Sequence, residues 1–293
     1  MKPYNMHADD YAISIHASQD ILDLIDLHKL DSISIIPNMP SFDTCMKMLT
    51  PYVTSENPLS HISVHLNFME GHCCSDMPSV PALVDERGYF KVSWGGLLLA
   101  SYNPFKRETI KNQLKIEMAA QIDKILVNMP DTYNLEIDSH QHTHMIPVVW
   151  DALKEVIYEK SYSVQFLRLS KEPLSPFLKA PVATSSYGLA NIIKNILLNW
   201  YGISIQKQLQ RKNIPYSLLW GLLMSGHMDA DRIKEIDQYM QTYLAKEHQT
   251  IEMLFHPGVV LSEEITEANV KPGFVEFHLS KNRLIENEAV RSL

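Results

Sequence analysis

The sequence predicts an α/β fold, a (β/α) barrel of TIM-like type with about seven parallel strands and outer helices. Three observations predict it. Short apolar runs alternate with longer segments of helical spacing, a rhythm that implies a parallel sheet with helices outside it. Seven such runs can be counted, which suits a closed barrel of seven or eight strands better than two open sheets. The residues able to carry chemistry sit where those runs end, and in parallel α/β folds the loops at the carboxyl ends of strands converge on one face.

The elements follow in order. Tyr4 to Ala8 reads as a short first strand, less apolar than a buried parallel strand should be. Ser32 to Pro37 (SISIIP) is a second strand and Ile62 to Phe68 (ISVHLNF) a third. Cys73 to Arg107 breaks the rhythm with Pro78, Pro81, Gly88, Gly95, Gly96 and Pro104, and reads as a long excursion from a single domain spanning 1–293. Its Tyr89, Phe90, Trp94 and Tyr102 are candidate aromatic platforms for a ligand. Glu108 to Asn128 places Ile110, Leu114, Met118, Ile122 and Ile125 at helical spacing. Asn134 to Ile137 is a strand leading into a histidine cluster. Val148 to Glu159 is a helix with Pro147 in its first turn. Ser163 to Leu169, Tyr216 to Leu222 and Thr250 to Phe255 complete the strands. Leu189 to Gln208 and Asp229 to Glu247 are helices, the latter opened by acid. The tail after Pro272 reads as one more strand or helix.

Composition narrows the function. The 293 residues carry 26 Lys and Arg against 34 Asp and Glu, a net charge of −8, which argues against nucleic acid as a partner. No apolar run reaches the ~18 residues of a membrane span; the richest, Ile192 to Trp200, is broken by Lys194, Asn195 and Asn199. No signal peptide is visible, and Cys45, Cys73 and Cys74 form no disulfide framework, so a cytoplasmic protein with reduced thiols is expected. A homodimer is compatible with the sequence, since barrels commonly associate.

The chemistry concentrates in four places. Asp138-Ser139-His140-Gln141-His142-Thr143-His144 sets three histidines at alternate positions after a carboxylate, which on an extended strand puts them on one face. At ~3.3 Å per residue, His140 and His144 would lie ~13 Å apart, so at most two converge on one ion. Asp9-Asp10 would let one carboxylate hold a cation while the other takes a proton from water. His65 sits in an apolar run, and His256 precedes Pro257-Gly258. A mixed carboxylate and imidazole set suits Zn, Mn, Co, Ni or Fe, and with water also Mg. His7, His16, His28, His61, His72, His227, His248 and His278 read as structural or solvated.

Ala8-Asp9-Asp10-Tyr11, Val64-His65-Leu66-Asn67, the Asp138 to His144 element and Phe255-His256-Pro257-Gly258 together resemble the YdjC-like carbohydrate deacetylases, whose best-known members are chitooligosaccharide deacetylases. Leu167-Arg168-Leu169 and Ser225-Gly226-His227 are weaker echoes. The resemblance implies a seven-stranded barrel and one divalent metal ion, Mg or Zn with Co, Ni or Mn as alternatives, held by Asp10, His65 and His140. It implies Asp9 as general base and His256 as general acid, with the two aspartate roles open to exchange. Asp138, His142, His144 and Arg168 would orient ligands or meet substrate. The expected substrate is a small oligosaccharide of N-acetylated amino sugars. A metal-dependent phosphoesterase on a similar barrel and a non-catalytic sugar-binding relative are the rival readings. The family pattern has Asn and Gly where this chain has His7 and Ala12, and a backbone needing positive φ at residue 12 would strain an alanine.

Overall fold

A computed structural model describes residues 4–53, 59–180, 186–247, 251–269 and 271–293. Among these, seven strands form one all-parallel sheet: β1 (Tyr4–Tyr11), β2 (Ser32–Ile35), β3 (His61–Leu66), β4 (Leu135–Ser139), β5 (Val164–Leu167), β6 (Leu218–Trp220) and β7 (Ile251–Phe255). Their order is β5-β4-β3-β2-β1-β7-β6. The edges meet beyond the regular strands. Leu167 N donates to Pro215 O, Leu169 N to Ser217 O and Leu219 N to Lys171 O, and these bonds bring β5 and β6 together to close the curled sheet.

Helices pack outside: α1 (Ile15–Asp26), α2 (Phe42–Leu49), α3 (Trp94–Tyr102), α4 (Arg107–Asn128), α5 (Pro147–Glu159), α6 (Leu174–Phe177), α7 (Leu189–Arg211), α8 (Ala230–Glu247), α9 (Pro272–His278) and α10 (Lys281–Ser292). The expected strands and the four expected helices are present with ends shifted by a few residues. His248 and Thr250 lie outside the described residues. The tail after Pro272 is helical. The excursion holds α3, which starts where the Ser93 side chain accepts from Gly96 N.

The strands divide their faces by character. Ala8, Ile33, Ile35, Val64 and Ile137 are buried outward against the helices. The lumen is polar. Ser32 Oγ donates to Asn5 Oδ1 and meets His7 Nδ1 at 2.7 Å. His61 Nδ1 meets Glu136 Oε1 at 2.8 Å, and Arg168 Nε donates to Glu252. A polar lumen explains why the first strand reads as insufficiently apolar: its alternate residues face a hydrogen-bonded interior, not a hydrocarbon one.

Candidate active site

Two neighbours on a strand normally face opposite ways. Asp9 and Asp10 escape that rule through a bulge: between Ala8 and Tyr11 the register against β2 advances from Ile33 only to Ile35. Asp10 takes up the slack at φ 67°. The extra residue turns both carboxylates into the site. Two residues on, Ala12 also lies at positive φ, 70°. Ser18 Oγ accepts from its amide and Ser41 Oγ donates to its carbonyl, which pin the strained residue.

The histidine cluster corrects the extended-strand expectation. β4 stops at Ser139, and His140 to Met145 form a 3-10 turn in which Gln141 and His142 have φ of 54° and 59°. Three alternate histidines therefore do not share one face. His140 and His142 line a cavity at the carboxyl ends of the strands, and His144 turns away. His144 Nε2 lies 2.9 Å from Arg168 O, which can only accept, so Nε2 carries the hydrogen and Nδ1 accepts from Ser139 Oγ at 2.6 Å. Burial pushes this imidazole down to about 4. Its role is to tie the end of β4 to the end of β5. His142 Nδ1 meets Ser170 Oγ at 3.0 Å, and burial followed by the Lys194 and Arg168 charges holds the ring well below the usual histidine range.

Asp10, His65 and His140 each offer one atom such that all three lie within 4.8 Å of one another. His65 Nδ1 stands 2.6 Å from Asp138 Oδ1 and 2.9 Å from Ser34 Oγ. Burial opposes ionisation of Asp138, but the Arg168 guanidinium and His65 hold its carboxyl below the ordinary range. An ionised carboxylate only accepts, so Nδ1 carries the hydrogen and Nε2 presents a lone pair 3.6 Å from Asp10 Oδ1. Carboxylate, imidazole and a lone pair directed at the centre are the arrangement that divalent metal ligands adopt. One oxygen and two nitrogens fit a Zn-like or Mg-like ion with open positions. His140 stands 3.0 Å from Asp10 Oδ1 and 3.3 Å from Glu70 Oε1. Burial lowers its affinity for a proton, and the Asp10 and Glu70 carboxylates outweigh that and push it up to about 10.

A second cluster, His7, Asp9 and Asp138, is equally compact. Its positive charge is already supplied. Arg168, fully buried, donates to Asp9 Oδ1 at 2.9 Å and Oδ2 at 3.1 Å, and approaches Asp138 Oδ2 at 2.8 Å. Burial raises the Asp9 carboxyl, but Arg168 and then His65 hold it well below its ordinary value. The bidentate contact also fixes the direction of the carboxylate. His7, read from sequence as structural or solvated, points Nε2 at Asp9 Oδ1, 3.2 Å away.

His256 follows β7 and lines the cavity. Gly258, two residues on, is required by contact: a Cβ there would lie 2.4 Å from Ala17 O. Burial lowers the His256 ring, and the Glu286 carboxylate, 3.4 Å from Nδ1, outweighs it and raises the pKa.

The C-terminal helices supply what the motifs lack. Arg283 of α10 donates to Asp10 Oδ2 and to Gly258 O. His278, expected to be structural or solvated, is buried with Nε2 2.9 Å from Glu70 Oε1. Phe274 and Phe277 give the cavity its aromatic wall. The excursion does not: none of Tyr89, Phe90, Trp94 or Tyr102 lines it, because Phe90 is buried against Phe68 and Tyr102 bonds Tyr201 on the outer surface. The cavity measures about 410 Å³ and is also lined by Asn191, Lys194, Ser225 and Lys271. That size and mixed lining suit a small polar ligand. Glu70, Arg283 and Glu286 were not singled out in the sequence. The only signal for the last two is that they fall three apart on a helix whose polar face is buried.

Comparison with known proteins places these features. A carbohydrate deacetylase from Xenopus laevis is 22% identical over 301 aligned residues, covering 97% of this chain and 89% of that protein. A carbohydrate deacetylase from Thermoanaerobacter pseudethanolicus (strain ATCC 33223 / 39E) is 25% identical over 209 residues, 71% of this chain and 73% of its own. A crystal structure from Enterococcus faecalis V583, of a candidate cellobiose-phosphate cleavage protein, superposes with a TM-score of 0.56 at 19% identity over 98% of this chain and 93% of that one. That likeness supports the fold. The model of YdjC-like proteins matches residues 5–292, so the chain belongs to the YdjC-like family.

Proposed function

We propose that the protein is a metal-dependent deacetylase of N-acetylated amino sugars in small oligosaccharides of the chitooligosaccharide type. The observation that carries this reading is the meeting of Asp9, Asp10, His65, His140 and His256 at the mouth-side end of one barrel, beside a cavity with an aromatic wall. The two relatives named carbohydrate deacetylases support it. Asp10, His65 and His140 are the residues we assign to a divalent cation. Such an ion would polarise an acetamide carbonyl and acidify a water molecule. Asp9, kept ionised and aimed by Arg168, takes a proton from the attacking water as the water oxygen bonds to the acetyl carbon. His256, made more basic by Glu286, gives a proton to the amine nitrogen as the C–N bond breaks, leaving acetate and a free amino sugar. Phe274 and Phe277 offer apolar faces to a sugar ring.

Acetate release from diacetylchitobiose in the presence of Zn, Mg, Co or Ni tests the proposal. Asp10→Asn and His140→Ala should lose both metal uptake and turnover. Asp9→Asn should keep the metal and lose at least ~100-fold in rate, the scale of a general base. No acetate from any N-acetylated sugar with metal-replete protein would refute it.

A further inference from the structure

Buried polar side chains close a ring on one flank of the site. Asp10 Oδ1 stands 3.0 Å from His140 Nδ1, and His140 Nε2 stands 3.3 Å from Glu70 Oε1. Glu70 then meets His278, whose Nε2 lies 2.9 Å from Oε1 and 3.1 Å from Oε2. His278 Nδ1 is 3.3 Å from Arg283 Nη2, and that same nitrogen donates to Asp10 Oδ2. All of these residues are buried. The ring joins β1, the turn after β4, the segment after β3 and the two C-terminal helices. Buried ionisable groups are costly even when paired, and hydrocarbon in their place often stabilises a fold as well or better. Stability alone therefore does not account for the ring.

The hydrogens can be assigned around it. A guanidinium only donates, so His278 Nδ1 accepts from Arg283 and Nε2 carries the hydrogen that Glu70 accepts. Burial opposes ionisation of Glu70, but His278 and then His140 hold its carboxyl down to about 2. An ionised carboxylate only accepts, so His140 presents Nε2–H to it. Among the described residues no hydrogen-bond acceptor other than Glu70 approaches that buried nitrogen.

We infer that Glu70, His278 and Arg283 are positioning residues that select which atoms Asp10 and His140 offer to the cation, an inference that rests on the metal-dependent reading of the site. Arg283 occupies Asp10 Oδ2 and leaves Oδ1. Glu70 keeps a hydrogen on His140 Nε2 and leaves Nδ1. These two atoms face each other, and His65 Nε2 stands 3.6 Å from the same Oδ1. The two imidazoles thus turn opposite nitrogens to the centre. His65 offers Nε2 because Asp138 holds its Nδ1, and His140 offers Nδ1 because Glu70 faces its Nε2. A carboxylate behind a ligating histidine sets its tautomer and makes the facing nitrogen more basic. Glu70 is itself fixed from behind, since Asn38 Nδ2 and Asn67 Nδ2 donate to its carbonyl at 2.8 and 3.0 Å.

Zinc affinity of the full chain, measured by chelator competition, tests this independently of turnover. Glu70→Leu should weaken zinc binding about 10- to 100-fold, the usual cost of losing a group that orients a metal ligand. The visible bands of its cobalt(II) form should shift, because the basicity of His140 contributes to the ligand field. His278→Phe keeps a ring to stack on Phe274, 6.1 Å away, and removes the N–H that holds Glu70. It should weaken zinc binding by a smaller factor. The double variant should lose less than the product of the two factors, because both changes act on the same hydrogen of His140. Wild-type affinity in both single variants, unmoved cobalt bands, or factors that simply multiply would overturn the inference and leave the metal site standing. If Glu70→Leu fails to fold by circular dichroism, His278→Phe decides alone: weakened binding supports the inference and unchanged binding overturns it. A wild-type chain that takes up no zinc would overturn the metal-dependent reading as well.

Discussion

Ala12 holds a conformation, φ 70°, that costs a residue with a Cβ roughly 1–2 kcal/mol. The bulge that turns Asp9 and Asp10 together fixes it there. Ala12→Gly should raise stability by about 0.5–1 kcal/mol in urea unfolding, the relief of strain less the extra freedom glycine gives the unfolded chain. No gain would mean that the backbone relaxes without glycine. His144 makes a second residue-scale claim. In the unfolded chain it takes up a proton near its ordinary 6.5, whereas in the fold burial delays this to about 4. Its folded value is depressed, so the stability linked to its neutral form is whole above pH 6.5 and falls as pH drops toward 4. The loss is about 3 kcal/mol across that window. His144→Gln retains a donor for Arg168 O and titrates nowhere in the window. Its unfolding free energy should fall less between pH 6.5 and 4 than that of the wild type, and parallel curves would contradict this account.

At the scale of elements, the motifs announced which strands bear chemistry but not how the chain presents it. The alternation in Ser32 to Ile35 and in His61 to Leu66 was legible, because strand period is a local property. The turn at His140 was not: spacing of two looks the same on paper whether residues 141 and 142 are extended or left-handed. Nor was α10 legible as part of the site. Arg283 and Glu286 reach Asp10 and His256 across the fold, and no local pattern marks a side chain that acts on a distant one. Glu286 raises the affinity of His256 for its proton, and a general acid must hold that proton to act. Glu286→Gln should therefore move the alkaline limb of the kcat/KM profile to lower pH. An unmoved limb would assign it to another group.

The whole molecule places a polar network where a barrel of this kind could have held hydrocarbon, and Arg168 is its centre. One guanidinium faces Asp9, Asp138 and Glu252, all buried. Arg168→Met would leave those carboxylates unpaired and should cost about 3–5 kcal/mol in denaturant unfolding. Arg168→Lys should recover only part of it, since an ammonium cannot make the forked contact. A loss below ~1 kcal/mol would show that water or rearrangement serves as well. The barrel itself was legible from the rhythm of its elements. Its closure through residues 167–171 and 215–219 was not, because those hydrogen bonds lie outside regular strands. At this scale also stands the claim on which the functional account depends, that three distant stretches converge on one cation. Crystals grown with zinc and measured at its absorption edge test it most directly. The account predicts one anomalous peak about 2.0–2.2 Å from an Asp10 oxygen and from nitrogens of His65 and His140. A peak among His7, Asp9 and Asp138, or no peak in the barrel mouth, would contradict it.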